Sequence, residues 1–231
     1  MQVAVDAKHH LIVAHEVTTV GNDRSQLSKM AIAAREAMGR KMLKVYADRG
    51  YFNAPQIKAC AESGIQAYVP KPMTSNAKAE GRFDKGDFIY IARDDEYLCP
   101  AGQRATYRFT RDEDGLQIRR YWSSSCPGCP LKSQCTPSDY RRISRWEHEP
   151  VLEAMQHRLN KQPRAMTLRR RTVEHVFGTL KHWMGSTHFL TRRLENVSTE
   201  MSLHVLAYNL KRMLKVLGLA KTMKAMQLVG A

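Results

Sequence analysis

The chain has 231 residues, which is enough for one large domain or for one domain with an insertion. Its 43% hydrophobic residues can form a core, and no segment resembles a membrane span or a signal peptide, so we expect a soluble cytoplasmic protein. A net charge of +15 excludes a surface with balanced charge and favours an acidic partner, most often nucleic acid.

Residues 1–70 predict the first part of an α/β domain. The opening segment alternates apolar and polar residues on both sides of a turn, which predicts a β-hairpin. Residues 24–38 predict a helix, with Asn22 or Asp23 as its cap. A buried strand in KVYAD, a helix over 55–63 and a strand in IQAYVP follow. This order implies parallel strands joined by a crossover helix.

Residues 71–148 interrupt this pattern and predict a small inserted region. The start of the segment is polar and rich in turn-forming residues, and short strands around 88–98 and 105–122 are predicted to form hairpins. Four of the five cysteines lie in this segment. We therefore expect a cysteine-rich β insertion.

Residues 149–231 predict the helical remainder of the first domain. Helices are expected over about 150–159, 164–184 and 199–228. The last of these helices carries leucines at helical spacing, which predicts that they pack in the core. These are Leu203, Leu206, Leu210, Leu214 and Leu217.

Asp48 is the first candidate functional residue. It ends the apolar strand KVYAD, directly before RGY. In open α/β sheets, ligands lie beyond the carboxyl ends of the strands, so an acid in this position can belong to a binding site. An aspartate that only caps a turn is an equally open interpretation.

Glu174 is the second candidate, and it lies in a strongly basic segment. Between Lys161 and Arg193 it is the one acid among eight lysines and arginines. Because this run coincides with an amphipathic helix, it favours a surface that contacts phosphates over a solvated tail. An ordinary i, i+4 pair with Arg170 is the alternative. The DNA-binding candidates are Arg169, Arg170, Arg171 and Lys181.

Asp48 and Glu174 together fit the chemistry of a magnesium site. Mg²⁺ takes oxygen ligands and keeps water molecules that can be exchanged for phosphate oxygens. With two ions about 3.5–4 Å apart, one activates the attacking oxygen and the other stabilises the leaving oxygen of a phosphodiester. The sequence thus predicts that these two distant acids meet.

Four cysteines form a second candidate metal site. Two residues separate Cys126 from Cys129, Cys135 follows, and Cys99 is more distant. Four thiolates suit a tetrahedral structural Zn²⁺ site. An iron–sulfur cluster and a set of free thiols remain open as alternatives. Cys60, in a predicted helix, is expected to be a small buried apolar residue.

The segment YADRGYFN, together with Arg170, Glu174 and Lys181 at their spacing, resembles the DDE transposases of bacterial insertion sequences that carry a Tyr-Arg-Glu-Lys signature. VAVDAKHHLIVAHEVT, YLCPAGQ, CPGCPLKSQCT and VEHVFGTLKHWMG are similar to that group as well, so the resemblance covers nearly the whole chain. Thr167 stands at the position of the signature's tyrosine.

The resemblance implies an RNase H-like mixed sheet with crossover helices, interrupted by the cysteine-containing insertion and closed by C-terminal helices. It implies that Asp48 is the second catalytic acid and Glu174 the third, with Mg²⁺ or Mn²⁺ as cofactor. Arg170 and Lys181 would contact phosphates. The implied partners are DNA at the element ends and at the target, in a homo-oligomer located at the bacterial nucleoid.

The first acid of this group lies on a strand that precedes the hairpin matching residues 2–18. We therefore expect that strand and its aspartate to be missing, with Asp6 and Asp23 as the early substitutes. The function expected is Mg²⁺-dependent DNA cleavage and strand transfer by a truncated transposase that is inactive alone. The alternatives are a non-catalytic, zinc-containing DNA-binding remnant and a metal-dependent nuclease of the same fold.

Overall fold

A computed structural model describes residues 1–72 and 76–229 and divides the chain into two compact units. Unit 1 comprises Met1–Pro72 and Val151–Ala231, and unit 2 comprises Met73–Pro150. The parts of the predicted ranges 71–148 and 149–231 that fall on residues 73–75 and 230–231 lie outside the described residues.

The predicted α/β class is confirmed, because helices and strands both form the described part of the chain. The first half of unit 1 contains four strands and two helices. They are β1 (Gln2–Val5), β2 (Ile12–Glu16), α1 (Leu27–Ala37), β3 (Leu43–Tyr46), α2 (Ala54–Glu62) and β4 (Ile65–Tyr68).

Strands β1 and β2 form the predicted antiparallel hairpin, and β3 pairs with β4 in parallel, as the strand–helix–strand order predicts. Helix α2, which connects β3 to β4, begins where the side chain of Asn53 accepts a hydrogen bond from the backbone of Gln56. Ile57 and Cys60 of this helix are buried against the parallel pair. The prediction of a buried Cys60 is confirmed.

Strand β3 is less buried than predicted. Val45 is half-buried, whereas Ala67, opposite it on β4, is almost completely buried. The reason is topological: among the described strands, β3 pairs on one edge only. An apolar sequence does not show whether both edges of a strand are covered.

The second half of unit 1 is helical. Its elements are α3, which begins in unit 2 (Glu149–Lys161), α4 (Ala165–Gly178), a π-helical turn (Thr179–Trp183), α5 (Leu194–Leu217) and α6 (Leu219–Val229). The predicted single helix over 199–228 is wrong, since Gly218 separates α5 from α6 with a φ of 80°. This left-handed conformation favours glycine and ends the helix.

The predicted core stripe of leucines in α5 is also wrong. None of the five is buried: Leu214 is half-buried, and the exposed ones are Leu203, Leu206, Leu210 and Leu217. The buried face of the helix is formed by Met201, Val205 and Tyr208. Helix α5 has apolar residues on two sides, so periodicity alone does not show which side is buried.

Helix α5 is attached to the first hairpin by three side chains. Asn209 donates to the carbonyl of Ile12 at 2.8 Å and accepts from its backbone N–H at 2.9 Å. Tyr208 donates to the carbonyl of His10 at 2.7 Å, and Arg212 donates to that of His9 at 2.6 Å. These bonds satisfy backbone groups of the hairpin that its own ladder leaves free.

Unit 2 is built on a five-stranded antiparallel sheet. Its strands, in spatial order, are β5 (Ile89–Ile91), β6 (Glu96–Leu98), β7 (Arg104–Glu113), β8 (Leu116–Trp122) and β9 (Ile143–Trp146). The hairpins predicted over 88–98 and 105–122 correspond to β5–β8, and β9 was not predicted. One face of the sheet is covered by a small core centred on Tyr97 and Tyr121.

Candidate functional site

Asp48 is held by two hydrogen bonds at the carboxyl end of β3. Its Oδ1 accepts the backbone N–H of Gly50 at 2.9 Å, and its Oδ2 accepts from Nη2 of Arg169 on α4 at 2.8 Å. The side chain of Asp48 is 44% exposed and that of Arg169 is 23% exposed. The carboxylate is therefore oriented by both elements while it remains accessible to solvent.

A second acid lies near Asp48. A Cβ atom added to Gly50 would lie 3.0 Å from Oδ1 of Asp48 and 3.8 Å from Oδ2 of Asp23. Asp23 is not the predicted helix cap: α1 begins after Gln26, and Oδ1 of Asp23 accepts from the side chain of Gln2 at 2.6 Å. Of the two early acids, Asp23 is the one beside Asp48. Asp6 accepts backbone N–H groups within its own hairpin turn.

Tyr51 completes this polar group. Its hydroxyl donates to the side-chain oxygen of Gln2, which in turn donates to Asp23. Burial raises the pKa of Tyr51 to about 12, and the negative charges of Asp23 and Asp48 add to this shift while Arg169 opposes it. A phenol with a raised pKa stays protonated, so Tyr51 serves as a hydrogen-bond donor beside the two carboxylates.

Glu174 lies further along α4 and faces solvent. Its side chain is 62% exposed, and the nearest cation is Nε of Arg170 at 3.9 Å, the i, i+4 pair that the sequence left as an alternative. Arg169 and Glu174 are five residues apart, which corresponds to about 140° around a helix. Glu174 thus leaves α4 on a different side from the arginine that contacts Asp48.

In the described part of the chain, Asp48 and Glu174 each pair with an arginine of α4. Among the described residues, no set of three or more His, Cys, Asp or Glu side chains is arranged to hold a metal ion. Arg170, Arg171 and Lys181 are exposed, whereas Arg169 is engaged by Asp48.

The four candidate cysteines lie together in unit 2. Cys99, Cys126, Cys129 and Cys135 line one cavity whose other walls are mainly apolar, including Phe88. Their thiols are free. The four cysteines share a cavity, but within the described residues their side chains are not arranged to hold a metal ion.

Local turns position these cysteines. The backbone N–H of Gln103 donates to Sγ of Cys99 at 3.3 Å, and the N–H of Cys129 donates to the carbonyl of Cys126 at 3.3 Å. Burial raises the pKa of Cys135, which the other three cysteines raise further and Arg141 lowers. The charges of the other three cysteines thus act at Cys135.

The positive charge is concentrated in unit 1. Residues 73–150 contain 13 lysines and arginines and 12 acids, so unit 2 is close to neutral. Unit 1 consequently carries a net charge of +14 out of the +15 of the whole chain. The electrostatic attraction for an acidic partner lies in the unit that contains Asp48 and α4.

Sequence reasoning missed the roles of Gln2, Tyr51 and Arg169. No local pattern relates residue 2 to residue 51, and the basic run of α4 does not indicate which arginine faces inward. The motif DRGY was the one available signal, because it places Tyr51 three residues after Asp48.

Asp48 lies at the end of a parallel strand, where α/β sheets bind ligands, and the basic helix that it contacts favours a nucleic acid as the partner. Residues 98–214, which are 117 of the 231 residues, match the model of the transposase DDE domain family. The chain belongs to this family, and the recognition of a DDE transposase from the sequence is confirmed.

Membership implies DNA binding, and DDE transposase domains generally use divalent metal ions. The matched range contains Glu174, Lys181 and the four clustered cysteines, whereas Asp48 precedes it. No curated protein and no solved structure shows a significant match to the chain. None of the helices in the described ranges has the length and apolar character needed to cross a membrane.

Proposed function

We propose that the chain is the transposase of a bacterial insertion sequence and acts on DNA through a carboxylate site in an RNase H-like unit 1. The observation that carries this proposal is the contact of Asp48, at the end of β3, with the basic helix α4 in a member of the transposase DDE domain family. The proposed reaction is cleavage at an element end followed by joining of the 3′ hydroxyl to target DNA.

Asp48 and Glu174 are the proposed ligands of Mg²⁺ or Mn²⁺. Their chemistry fits, because partly exposed carboxylate oxygens are the ligands that hard divalent cations take. Such ions, when bound, supply activation of the attacking oxygen and stabilisation of the leaving oxygen. The part of the chain itself is to orient Asp48 through the amide of Gly50 and the guanidinium of Arg169.

DNA is the proposed partner of the exposed cations on α4 and the turn that follows it. Arg170, Arg171 and Lys181 are accessible, and unit 1 has the excess positive charge that a phosphate backbone requires. In this proposal Arg169 contributes less to DNA binding than its neighbours, because its guanidinium is engaged by Asp48.

We expect the chain alone to bind DNA without cleaving it, since Asp48 and Glu174 each pair with an arginine, and Glu174 lies on a different side of α4 from the arginine that contacts Asp48. The same observation favours the alternative function, a zinc-containing DNA-binding protein without catalysis. The proposed assembly is a homo-oligomer.

The test combines DNA binding with a nicking assay on supercoiled plasmid in Mg²⁺, Mn²⁺ or chelator. Binding in all three conditions without nicking is the expected result. Nicking that is lost in Asp48→Ala and kept in Asp6→Ala would overturn the expected inactivity and support the carboxylate chemistry. Lack of DNA binding at low salt would overturn the proposed function.

We also propose that Cys99, Cys126, Cys129 and Cys135 hold a structural Zn²⁺ in unit 2. They share one cavity and have the donor chemistry of a tetrahedral thiolate site. Binding requires the thiols to lose protons and their side chains to converge. The positive charge of Arg141 offsets part of the resulting negative charge.

Cys60 provides a matched control for this site, because it is a cysteine of the same chain that lies in unit 1. Purified protein is expected to contain one zinc per chain, lost in Cys129→Ser and retained in Cys60→Ser, as measured by elemental analysis. If the protein instead contains iron and shows a visible absorption band, the four cysteines hold an iron–sulfur cluster. Metal-free, folded protein with four reactive thiols would refute both.

A further inference from the structure

Two large apolar side chains project into solvent between α4 and α5. Trp183 and Leu190 are each 81% exposed, the highest value among the large apolar residues that the structure describes. Trp183 ends the π-helical turn, and Leu190 lies in the loop that leads to α5. Both side chains hold apolar surface in water, so a ligand that covers them would gain binding energy from its removal.

The backbone of Leu190 is fixed to α5 by a carboxylate. Its N–H donates to Oε1 of Glu200 at 2.9 Å, and the N–H of Thr191 donates to Oε2 at 2.9 Å. The hydroxyl of Thr191 donates to the same Oε2 at 2.7 Å. These donors, the N–H of Leu190 first among them, hold the pKa of Glu200 below its ordinary value. The side chain of Leu190 is thus exposed on a loop whose backbone is anchored.

Trp183 is supported by the core of unit 1. Leu180, three residues earlier in the same turn, is buried beside Met201 of α5, and Met184 packs against this cluster. The N–H of Met184 donates to the carbonyl of Thr179 at 3.1 Å and closes the turn. Both exposed side chains therefore stand on fixed backbone, which lowers the entropy that binding would cost.

One cavity joins the two supports. Lys181 and Phe189 line the same space of about 270 Å³. Lys181 precedes Trp183 by two residues, and Phe189 directly precedes Leu190. The two exposed side chains consequently emerge close to the rim of this cavity, on the same end of unit 1.

The charge around these side chains indicates what covers them. Residues 179–193 contain Lys181, Arg192 and Arg193, all exposed, and no acid. The centre of a protein–protein interface is usually depleted of charged residues, which does not fit apolar side chains flanked by cations. Duplex DNA fits, because proteins that bend it insert apolar side chains between base pairs from the minor groove while cations contact the phosphates.

We propose that Leu190 and Trp183 form a wedge that enters the minor groove of duplex DNA and unstacks a base step. Arg192 and Arg193 contact the phosphates beside the opened step, and the bonds to Glu200 keep Leu190 from being pushed back. The duplex bends where the wedge enters. This inference rests on the proposed function and deepens it, because it assigns a shape change of the DNA to two residues outside the carboxylate site.

The experiment compares two short duplexes that differ at one central base pair, matched in one and mismatched in the other. A 2-aminopurine beside this position fluoresces more strongly when it is unstacked. Because a mismatch lowers the cost of unstacking, the full chain is expected to bind the mismatched duplex about fivefold more tightly and to raise its fluorescence.

Substitutions test which side chains form the wedge. Leu190→Ala and Trp183→Ala are each expected to reduce the preference to less than about twofold while binding of the matched duplex persists, because phosphate contacts supply most of that affinity. Leu190→Met keeps a long apolar side chain and is expected to keep the preference. Leu206→Ala is the matched control, because it removes a leucine of α5 that is 63% exposed.

Three results would overturn the wedge and leave the proposed function standing. The first is equal binding of both duplexes by the unmodified protein without a rise in fluorescence. The second is an unchanged preference in both alanine variants, or the same loss in Leu206→Ala. The third is a loss of oligomers in Leu190→Ala with the preference intact, which assigns the side chain to a protein interface. Failure to bind either duplex at low salt would overturn the wedge and the proposed function together.

Discussion

The carboxylate of Asp48 and the guanidinium of Arg169 form an ion pair at 2.8 Å that connects the end of β3 to the inner side of α4. A divalent cation at Asp48 has to share the carboxylate with this guanidinium or displace it. The pair therefore links the metal affinity of the site to the position of α4.

Replacement of Arg169 by glutamine is expected to strengthen the binding of Mn²⁺ by up to about fivefold. The physical reason is that a partly exposed ion pair contributes at most about 1 kcal/mol, which the metal no longer has to overcome. Binding is measured by titration calorimetry or by the loss of the free Mn²⁺ resonance signal. Arg171→Gln removes the same charge from an exposed position of α4 and is expected to change the affinity less. Equal effects in both variants would show that Arg169 acts through its charge alone and not through its contact with Asp48.

Neutralising Lys181 or Arg170 is expected to weaken DNA binding and to lower its salt dependence. Each phosphate contact that is lost reduces the slope of log K against log salt by about 0.9. The slope is obtained from binding curves at several salt concentrations. Arg111→Gln neutralises an exposed arginine of the nearly neutral unit 2, so the slope of this control is expected to stay unchanged. A drop of the same size in the control would contradict the assignment of DNA binding to α4.

Replacement of Asn209 by alanine is expected to destabilise the protein by about 2 kcal/mol, because the N–H and C=O of Ile12 both lose their partner. The free energy of unfolding is measured by urea titration. Asn196 is an exposed asparagine on the same helix, and Asn196→Ala serves as the control. A destabilisation within about 0.5 kcal/mol of the control would show that water replaces Asn209 without cost.

Ionisation of Tyr51 is expected to destabilise unit 1 at high pH. The pKa is about 12 in the folded protein against 10.0 for an ordinary tyrosine, so the folded state favours the neutral phenol. The contribution of Tyr51 to stability is complete below pH 10 and is lost as the pH rises through about 12. The measurement is the pH dependence of stability in Tyr51→Phe relative to the unmodified protein, and parallel profiles between pH 10 and 12 would refute it.

Periodicity and turn residues were sufficient to predict the elements that depend on local sequence. The hairpin of β1 and β2 and the parallel pair of β3 and β4 follow from alternating or continuous apolar runs that are bounded by turns. Strand β9 was missed because it is short and contains Arg145, a buried arginine. The guanidinium of Arg145 lies 3.6 Å from the ring centre of Tyr90, on a strand more than 50 residues earlier, and no local pattern reveals such a partner.

In the candidate site, too, local sequence predicts some features, whereas others depend on residues far apart in the chain. The position of Asp48 at the end of a strand could be predicted from five residues, because an apolar run that stops at an acid is a local signal. Which residue of α4 meets Asp48 depends on how that helix is rotated in the fold, and a rotation of one residue, about 100°, exchanges Arg169 for Arg170. The predicted convergence of Asp48 and Glu174 needs this same information and stays a proposal.

The bonds from Tyr208, Asn209 and Arg212 to the first hairpin join residues that are 197 to 203 positions apart in the chain. At a synthesis rate of about 5–20 residues per second, about 10–40 s pass before a ribosome that has made the hairpin completes α5. During this time the backbone groups of the hairpin that α5 binds lack these partners. Slower translation should therefore lengthen the exposure of these groups and raise the demand for chaperones.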